Sequence, residues 1–446
     1  MRLFVQGAVL LLGMGFLSAP AKAQKVVIED DVPNSIVLVS QDKAGDEIVR
    51  IMNETQSPRF HDPKAPRFVL TDRKGRFALG IGGYVKATAE YDFGGISDDV
   101  DFYPSMIPNG GQNYVRNQFQ MDATTSTIFL KLVGRTKHLG DFVVYTAGNF
   151  RGGSKVAYVS FLGFTMGYDY STFMDLAALP PSIDYAGPAG QVFSRATLLR
   201  YERAFGKGWK AGVGIEMPVV DGITNQSVNI SNQRMPNFPA YIQYAWNKSS
   251  HIRVAGIVRN MTYENLVAQR AESKAGWGVF AASTFNVTSK LNFYGQATYG
   301  RGISQFLNDI SNLDVDLVPD PEAKGKMQVL PMMGWYAGLQ YNITPKVFVS
   351  STYSQTRLYS ENDYPVTPSD QYRYGQYLVA NIFWNVNANL QVGAEYLRGW
   401  RTDFNDMTRH ANRLNVTSDN VAFCKCATPG DSWCGISFRG DWQISD

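Results

Sequence analysis

From Phe77 to Phe93 every second residue is apolar or glycine: Phe77, Leu79, Ile81, Gly83, Val85, Ala87, Ala89, Tyr91 and Phe93. The charges, Lys86, Glu90 and Asp92, all fall between them. A period of two is a β-strand with one apolar and one wet face. Strands of soluble proteins usually stop at ~5–6 residues, whereas a strand of this length, tilted, crosses a bilayer and projects beyond it. The charged face meets water or other polar groups, so lipid lies on one side and solvent on the other.

Similar segments recur to the end of the chain, among them Gln118–Leu132, Val192–Arg203, Trp209–Met217, Pro239–Trp246, Ile252–Met261, Gly276–Phe285, Leu390–Arg398 and Ala411–Phe423. There are about sixteen, and an even number lets an antiparallel sheet close with no free edge. Their connections are alternately short, as at Leu162-Gly163, and long, as after Phe93, Tyr170, Met217, Met261, Arg301, Arg357 and Arg398. One outer connection, Gly152-Gly153-Ser154, is unusually brief. The expected fold is all-β: a transmembrane antiparallel β-barrel of about sixteen strands, with short periplasmic turns and long outer loops. Trp246 falls where an aromatic girdle belongs. The rival, a soluble β-sandwich, needs one common core for all these one-faced strands.

The start of the chain fixes the compartment. Arg2, the apolar stretch Leu3 to Leu17 and the small-x-small site Ala21-Lys22-Ala23 read as a signal peptide over residues 1–23. Residues 24–75 read as a periplasmic extension, 76–423 as the barrel and 424–446 as an atypical tail. The 42 basic and 39 acidic residues become nearly equal once Arg2 and Lys22 are removed, which argues against nucleic-acid binding. Mean hydropathy is only −0.20, because the two faces of a barrel cancel. Four histidines (His61, His138, His251, His410) are scattered singly, and no metal-ligand spacing, phosphate cradle or nucleophile elbow stands out. The expectation is therefore no enzyme, cofactor, metal or catalytic residue. All three cysteines, Cys424, Cys426 and Cys434, lie in the tail, which is either an appended segment or a periplasmic tail with one disulfide.

Function then rests on the residues expected to face the lumen. The basic set is Lys86, Lys131, Arg195, Arg200, Lys210, Arg253 and Arg259, and the acidic set includes Glu90, Asp92, Asp169, Glu202, Glu216 and Glu395. Arginine forks bind carboxylates bidentately, so this set favours small anionic solutes. The alternative is that the charges pair across strands and only keep the lumen wet. The connection after Tyr170 is apolar and stiffened by Pro180 and Pro181, with only Asp175 and Asp184 charged. Such a loop packs against something. As the third outer loop, folded inward, it would narrow the channel; packed on the rim or on a neighbouring subunit, it would not. A barrel without conductance, structural or adhesive, is the other functional class.

Tyr170-Ser171-Thr172-Phe173-Met174-Asp175-Leu176-Ala177-Ala178-Leu179-Pro180 resembles the signature of the DcaP-like trimeric porin family of Gram-negative outer membranes. Gly82-Gly83-Tyr84-Val85-Lys86, Gly148-Asn149-Phe150-Arg151-Gly152 and Thr298-Tyr299-Gly300-Arg301-Gly302-Ile303 share the likeness, which runs from about Gly82 to Phe423. The resemblance implies a homotrimer of 16-stranded barrels whose third loop, here including Asp175, Leu179, Pro180, Pro181 and Asp184, forms the constriction. It also implies lumen-facing Lys86 and Arg151, and passive uptake of small, preferentially anionic solutes such as dicarboxylates. Partners expected on this reading are outer-membrane lipid, lipopolysaccharide and the barrel-assembly machinery. The chain departs from the family in having Ala147 where members often carry an acid, no heptads before Arg76, and residues beyond Phe423, the aromatic that would end the last strand.

Overall fold

The computed structural model describes residues 37–38, 68–71, 76–93, 100–108, 117–136, 140–365, 369–387 and 390–420. The expected signal peptide, most of the extension, Phe423 and the cysteine-bearing tail lie outside them. The barrel strands are β1 (Phe77–Asp92), β2 (Gln118–Asp122 and Thr127–Thr136), β3 (Gly140–Asn149), β4 (Gly153–Phe161), β5 (Phe164–Tyr170), β6 (Arg195–Phe205), β7 (Trp209–Glu216) and β8 (Phe238–Asn247). They continue as β9 (Ser250–Asn265), β10 (Arg270–Asn286), β11 (Leu291–Arg301), β12 (Pro331–Asn342), β13 (Val347–Leu358), β14 (Tyr372–Asn387), β15 (Leu390–Asp403) and β16 (Thr408–Asn420). Each pairs antiparallel with the next. β16 closes the ring on β1, from Arg413 opposite Asp92 to Asn420 opposite Val85.

The pattern of burial is that of a soluble protein turned inside out. On β1, Val85 is 61% exposed and its neighbour Lys86 only 2%, so the charge is on the protected side and the aliphatic group meets the surroundings. β9 repeats this, with Ile252, Val254 and Val258 outward and Arg253 and Arg259 inward. Outward rings form a chain round the periplasmic rim: Phe205, Trp209, Tyr244, Trp246, Phe285 and Phe293, with successive centroids 4.8–6.4 Å apart. Trp246 takes its expected place there.

Several boundaries differ from the sequence reading. The loops after β9 and β15 were expected after Met261 and Arg398; instead the strands run on to Asn265 and Asp403 and turn over four residues. These upper parts stand above the lipid, where neither face is selected for hydrocarbon, so the apolar period that marks a strand fades. The expected single strand Gln118–Leu132 is broken at residues 123–126, and its two parts pair with the upper and lower halves of β1. Below Val85, the free edge of β1 is taken by Phe68–Thr71, which pairs with Ile81 to Ala78. The sheet therefore begins inside the segment assigned to the periplasmic extension.

Candidate functional site

Residues 171–194, the third outer loop (L3), make hydrogen bonds to nine strands. Lys86 on β1 donates to the Ile183 carbonyl (2.7 Å), Asn149 on β3 to the Tyr185 hydroxyl (3.2 Å), and the Thr172 amide to Glu216 on β7 (2.6 Å). Further contacts reach His251 on β9, Gln296 on β11, Tyr336 on β12, Ser354 on β13, Tyr377 on β14 and Glu395 on β15. A segment that touches nine strands of a closed ring lies inside the ring. Its apolar residues explain what it packs on: Phe173, fully buried, meets Phe280 (5.3 Å) and Phe306 (5.7 Å) edge-on. Asp175 caps a single 3-10 turn, Leu176–Ala178, by accepting from the Ala177 amide (3.1 Å).

The loop is held hardest on one side. Glu395 accepts from the Ser182 hydroxyl (2.9 Å) and from the amides of Ile183 (2.7 Å) and Asp184 (2.8 Å), while Asn381 and Ser350 donate to the Pro181 carbonyl. Asp184 accepts from the Phe102 amide (3.1 Å) and the Tyr377 hydroxyl (2.9 Å). Burial, with the nearby charges of Glu395 and Asp101, pushes its carboxyl well above the usual range. Leu179, Pro180, Pro181 and Asp184 are all buried on this side.

On the other side a cavity of about 540 Å³ stays open, lined by β2 to β9 and by Met174 to Ala177 of L3. One wall is mostly apolar and aromatic: Phe129, Tyr145, Ala147, Val156 and Tyr158, with Lys131 and Lys155. Facing it are Arg200, Lys210, Lys248 and Arg253, with Asp169, Glu202 and His251. The lining counts six Lys and Arg side chains against three carboxylates.

The pairing within this lining is uneven. Arg200 bonds Asp169 (2.8 Å) and sits 3.3 Å from Glu202, which also takes Lys210 (3.0 Å) and the Tyr241 hydroxyl. His251 meets Asp175 at 2.6 Å. Burial opposes ionisation of Asp175, but the charges of Arg253 and His251, with hydrogen bonds from His251 and Ala177, hold its carboxyl below the ordinary value. Arg253 bonds only neutral acceptors among the described residues: Gln243 (2.7 and 2.9 Å) and the Met174 carbonyl (2.6 Å), over the Tyr241 ring at 4.1 Å.

Of the expected lumen residues, Lys131, Arg200, Lys210 and Arg253 come together here. Five others do different work. Lys86 and Glu216 face inward but are covered by L3, which they tether. Arg259 is fully buried at the outer end, clasping Asp316 (2.9 Å), Gln305 (3.0 Å) and the carbonyls of Val219 and Gly302. Arg195 is displaced outright: it lies five positions from Arg200 with no bulge between, so it points to the opposite face, over Tyr170 (4.9 Å) and Phe193 (5.1 Å). Arg151 sits on the short loop after β3, 3.4 Å from Asp101 at the mouth.

Sequence reading missed three members of the lining. Lys155 has the wrong parity for the lumen, but the register shifts between Ala147 and Gly148 leave it as the extra residue of a bulge, and a bulge re-aims a side chain. Lys248 lies in the turn after β8, which periodicity cannot orient. His251, read only as one of four scattered histidines, is the second residue of β9. No cluster able to hold a metal occurs among the described residues.

A family model described as the porin subfamily matches residues 77–421. No curated protein sequence matches the chain. Among solved structures, the outer membrane channel DcaP of Acinetobacter baumannii is similar with a TM-score of 0.67 at 18% identity, over 78% of this chain and 98% of that one. The anion-selective porin from Comamonas acidovorans is similar with a TM-score of 0.50 at 10% identity, over 77% of this chain and 99% of that one.

Proposed function

The chain belongs to the porin subfamily and shares its fold with the outer membrane channel DcaP, and on that premise we propose that it passes small hydrophilic solutes down their gradient with a preference for anions. The observation that carries the preference is the lining of the open half-lumen, where Lys and Arg side chains outnumber Asp and Glu two to one. Charge of one sign along a water-filled constriction raises the local concentration of the opposite ion. Arg253 adds a guanidinium spent on neutral acceptors, and Ala147 leaves the β3 wall without an acid. The selectivity stated for the Comamonas porin points the same way. Small dicarboxylates are the solutes we propose for this lining, because a guanidinium fork takes a carboxylate bidentately.

The test is the zero-current potential of purified protein in planar bilayers under a KCl gradient, followed by liposome swelling with a dicarboxylate, a diamine and a neutral sugar of similar size. Step-like conductance with a potential on the chloride side supports the reading. A potential on the potassium side rejects the anion preference, and no conductance from correctly folded protein rejects the channel. The proposal includes a homotrimer, which the mass of the detergent-solubilised assembly by light scattering checks. It includes insertion by the barrel-assembly machinery into a membrane bearing lipopolysaccharide.

A further inference from the structure

The outward faces of β13 and β15 break the hydrocarbon pattern near their outer ends. On β13 Val347, Val349, Ser351, Tyr353, Gln355 and Arg357 alternate with buried residues. On β15 Val392, Ala394, Tyr396, Arg398 and Trp400 do so. With ~3.4 Å per residue and a tilt near 45°, Arg357 and Arg398 stand roughly 20–24 Å above the periplasmic ends of their strands. That is the outer edge of an apolar band ~25 Å tall, where hydrocarbon gives way to headgroups.

Around them the outward polar groups satisfy one another across strands. Trp335 Nε1 donates to Gln355 (3.3 Å), Gln376 to the Tyr353 hydroxyl (2.5 Å) and the Tyr396 hydroxyl to Asn412 (3.2 Å). Arg301, outward on β11, has Glu361 (2.5 Å) and the Val329 carbonyl (3.0 Å). Arg357 and Arg398 differ. Among the described residues each has only aromatic faces, Tyr359 (5.0 Å) and Tyr374 (5.7 Å) for Arg357 and Trp400 (5.0 Å) for Arg398, and the Nε of each is buried without an acceptor. An uncompensated guanidinium at a low-dielectric boundary is costly, and an anion that also lives there removes the cost.

We propose that this face binds a phosphorylated glycolipid of the outer leaflet, with Arg357 and Arg398 taking its phosphate groups while its acyl chains lie along the apolar rows below. The rings pre-orient the two guanidiniums, which fixes their forks for bidentate contact with phosphate. Two strand spacings sideways and four residues along the strand put their Cα atoms roughly 17 Å apart, and the two long side chains narrow that gap to the span of a sugar headgroup with more than one anionic group. A second copy meeting this face with its own would bring no carboxylate, because the outward residues of β12 to β16 include none. The site rests on the outer-membrane reading but not on conduction.

Delipidated full-length protein in detergent, titrated with diphosphoryl lipid A and followed by native mass spectrometry, tests it. Wild-type protein binds; R357Q/R398Q binds at least about tenfold more weakly, the loss expected for charge-assisted contacts; R357K/R398K falls between. Lipid A stripped of phosphate and inorganic phosphate alone both bind weakly to wild type. Equal binding by the glutamine variant, or by the stripped lipid, overturns the site. So does a changed subunit count in the glutamine variant with lipid binding intact, which would assign the face to a second copy. Heat-modifiable mobility checks that the variants fold, and the stripped-lipid comparison needs no variant. Unchanged conductance in the glutamine variant separates this result from the channel reading, which falls only if wild type fails to conduct.

Discussion

Replacing Arg253 by Gln removes one charge from the open half-lumen without taking a hydrogen-bond donor from any carboxylate, because its own hydrogen bonds go to Gln243 and the Met174 carbonyl. An ion passing about 7 Å from the guanidinium, in water bounded by protein with an effective permittivity near 60, feels about 0.8 kcal/mol. Screening at 0.1 M salt, where the Debye length is ~10 Å, halves this to about 0.4 kcal/mol. The term favours anions and disfavours cations equally, so the permeability ratio should fall about fourfold. In a tenfold KCl gradient the reversal potential then moves toward zero by a few tens of millivolts. Glu202→Gln should move it the other way, since it releases Arg200 and Lys210 from their shared acid. Both shifts should shrink sharply at 1 M salt, where the Debye length is ~3 Å. Two unchanged potentials at 0.1 M would refute electrostatic selection in this lining.

Glu395→Ala leaves the Ile183 and Asp184 amides and the Ser182 hydroxyl without acceptors. At about 1–3 kcal/mol for each buried donor so stranded, L3 loosens, and single-channel records should show larger, noisier current steps. Arg413 is fully buried at the β1–β16 seam, bidentate on Asp92 (2.9 and 3.0 Å) and 3.0 Å from Glu90. Its replacement by Ala abandons two buried acids and should cost about 3–5 kcal/mol, seen as a lower midpoint in denaturant-induced unfolding. Burial pushes Asp309, which accepts from the Ser105 amide and the Tyr372 hydroxyl, up to about 6. An acid whose folded value is raised stabilises most below its unfolded value, so protection of the Ser105 amide from hydrogen exchange, corrected for intrinsic rate, should decline as pH rises from about 4 through 6.

Periodicity told which face a residue takes but not what covers that face. Lys86, Glu216 and Arg259 do point inward, yet L3 and the loops after β7 and β11 fold over them, and those contacts come from segments with no period at all. Arg195 shows the rule broken in use: five positions from Arg200 is an odd step, so the two cannot share a face of an unbulged strand. Lys155 shows the opposite case, where one inserted residue defeats parity and puts a cation into the bore. The barrel itself was legible because lipid imposes a uniform demand on one face over the full span. Above the lipid that demand lapses, and the upper turns of β9 and β15 became legible only through their pairing.

The fastening of L3 to nine strands also has a mechanical meaning. A hollow cylinder of sheet flattens easily into an ellipse under sideways load, because its hydrogen bonds resist stretching far better than bending. Cross-members joining opposite walls oppose that flattening, as spokes keep a rim round. The width of the bore is thereby insulated from the squeeze of the surrounding bilayer, so what passes depends on the side chains that meet it.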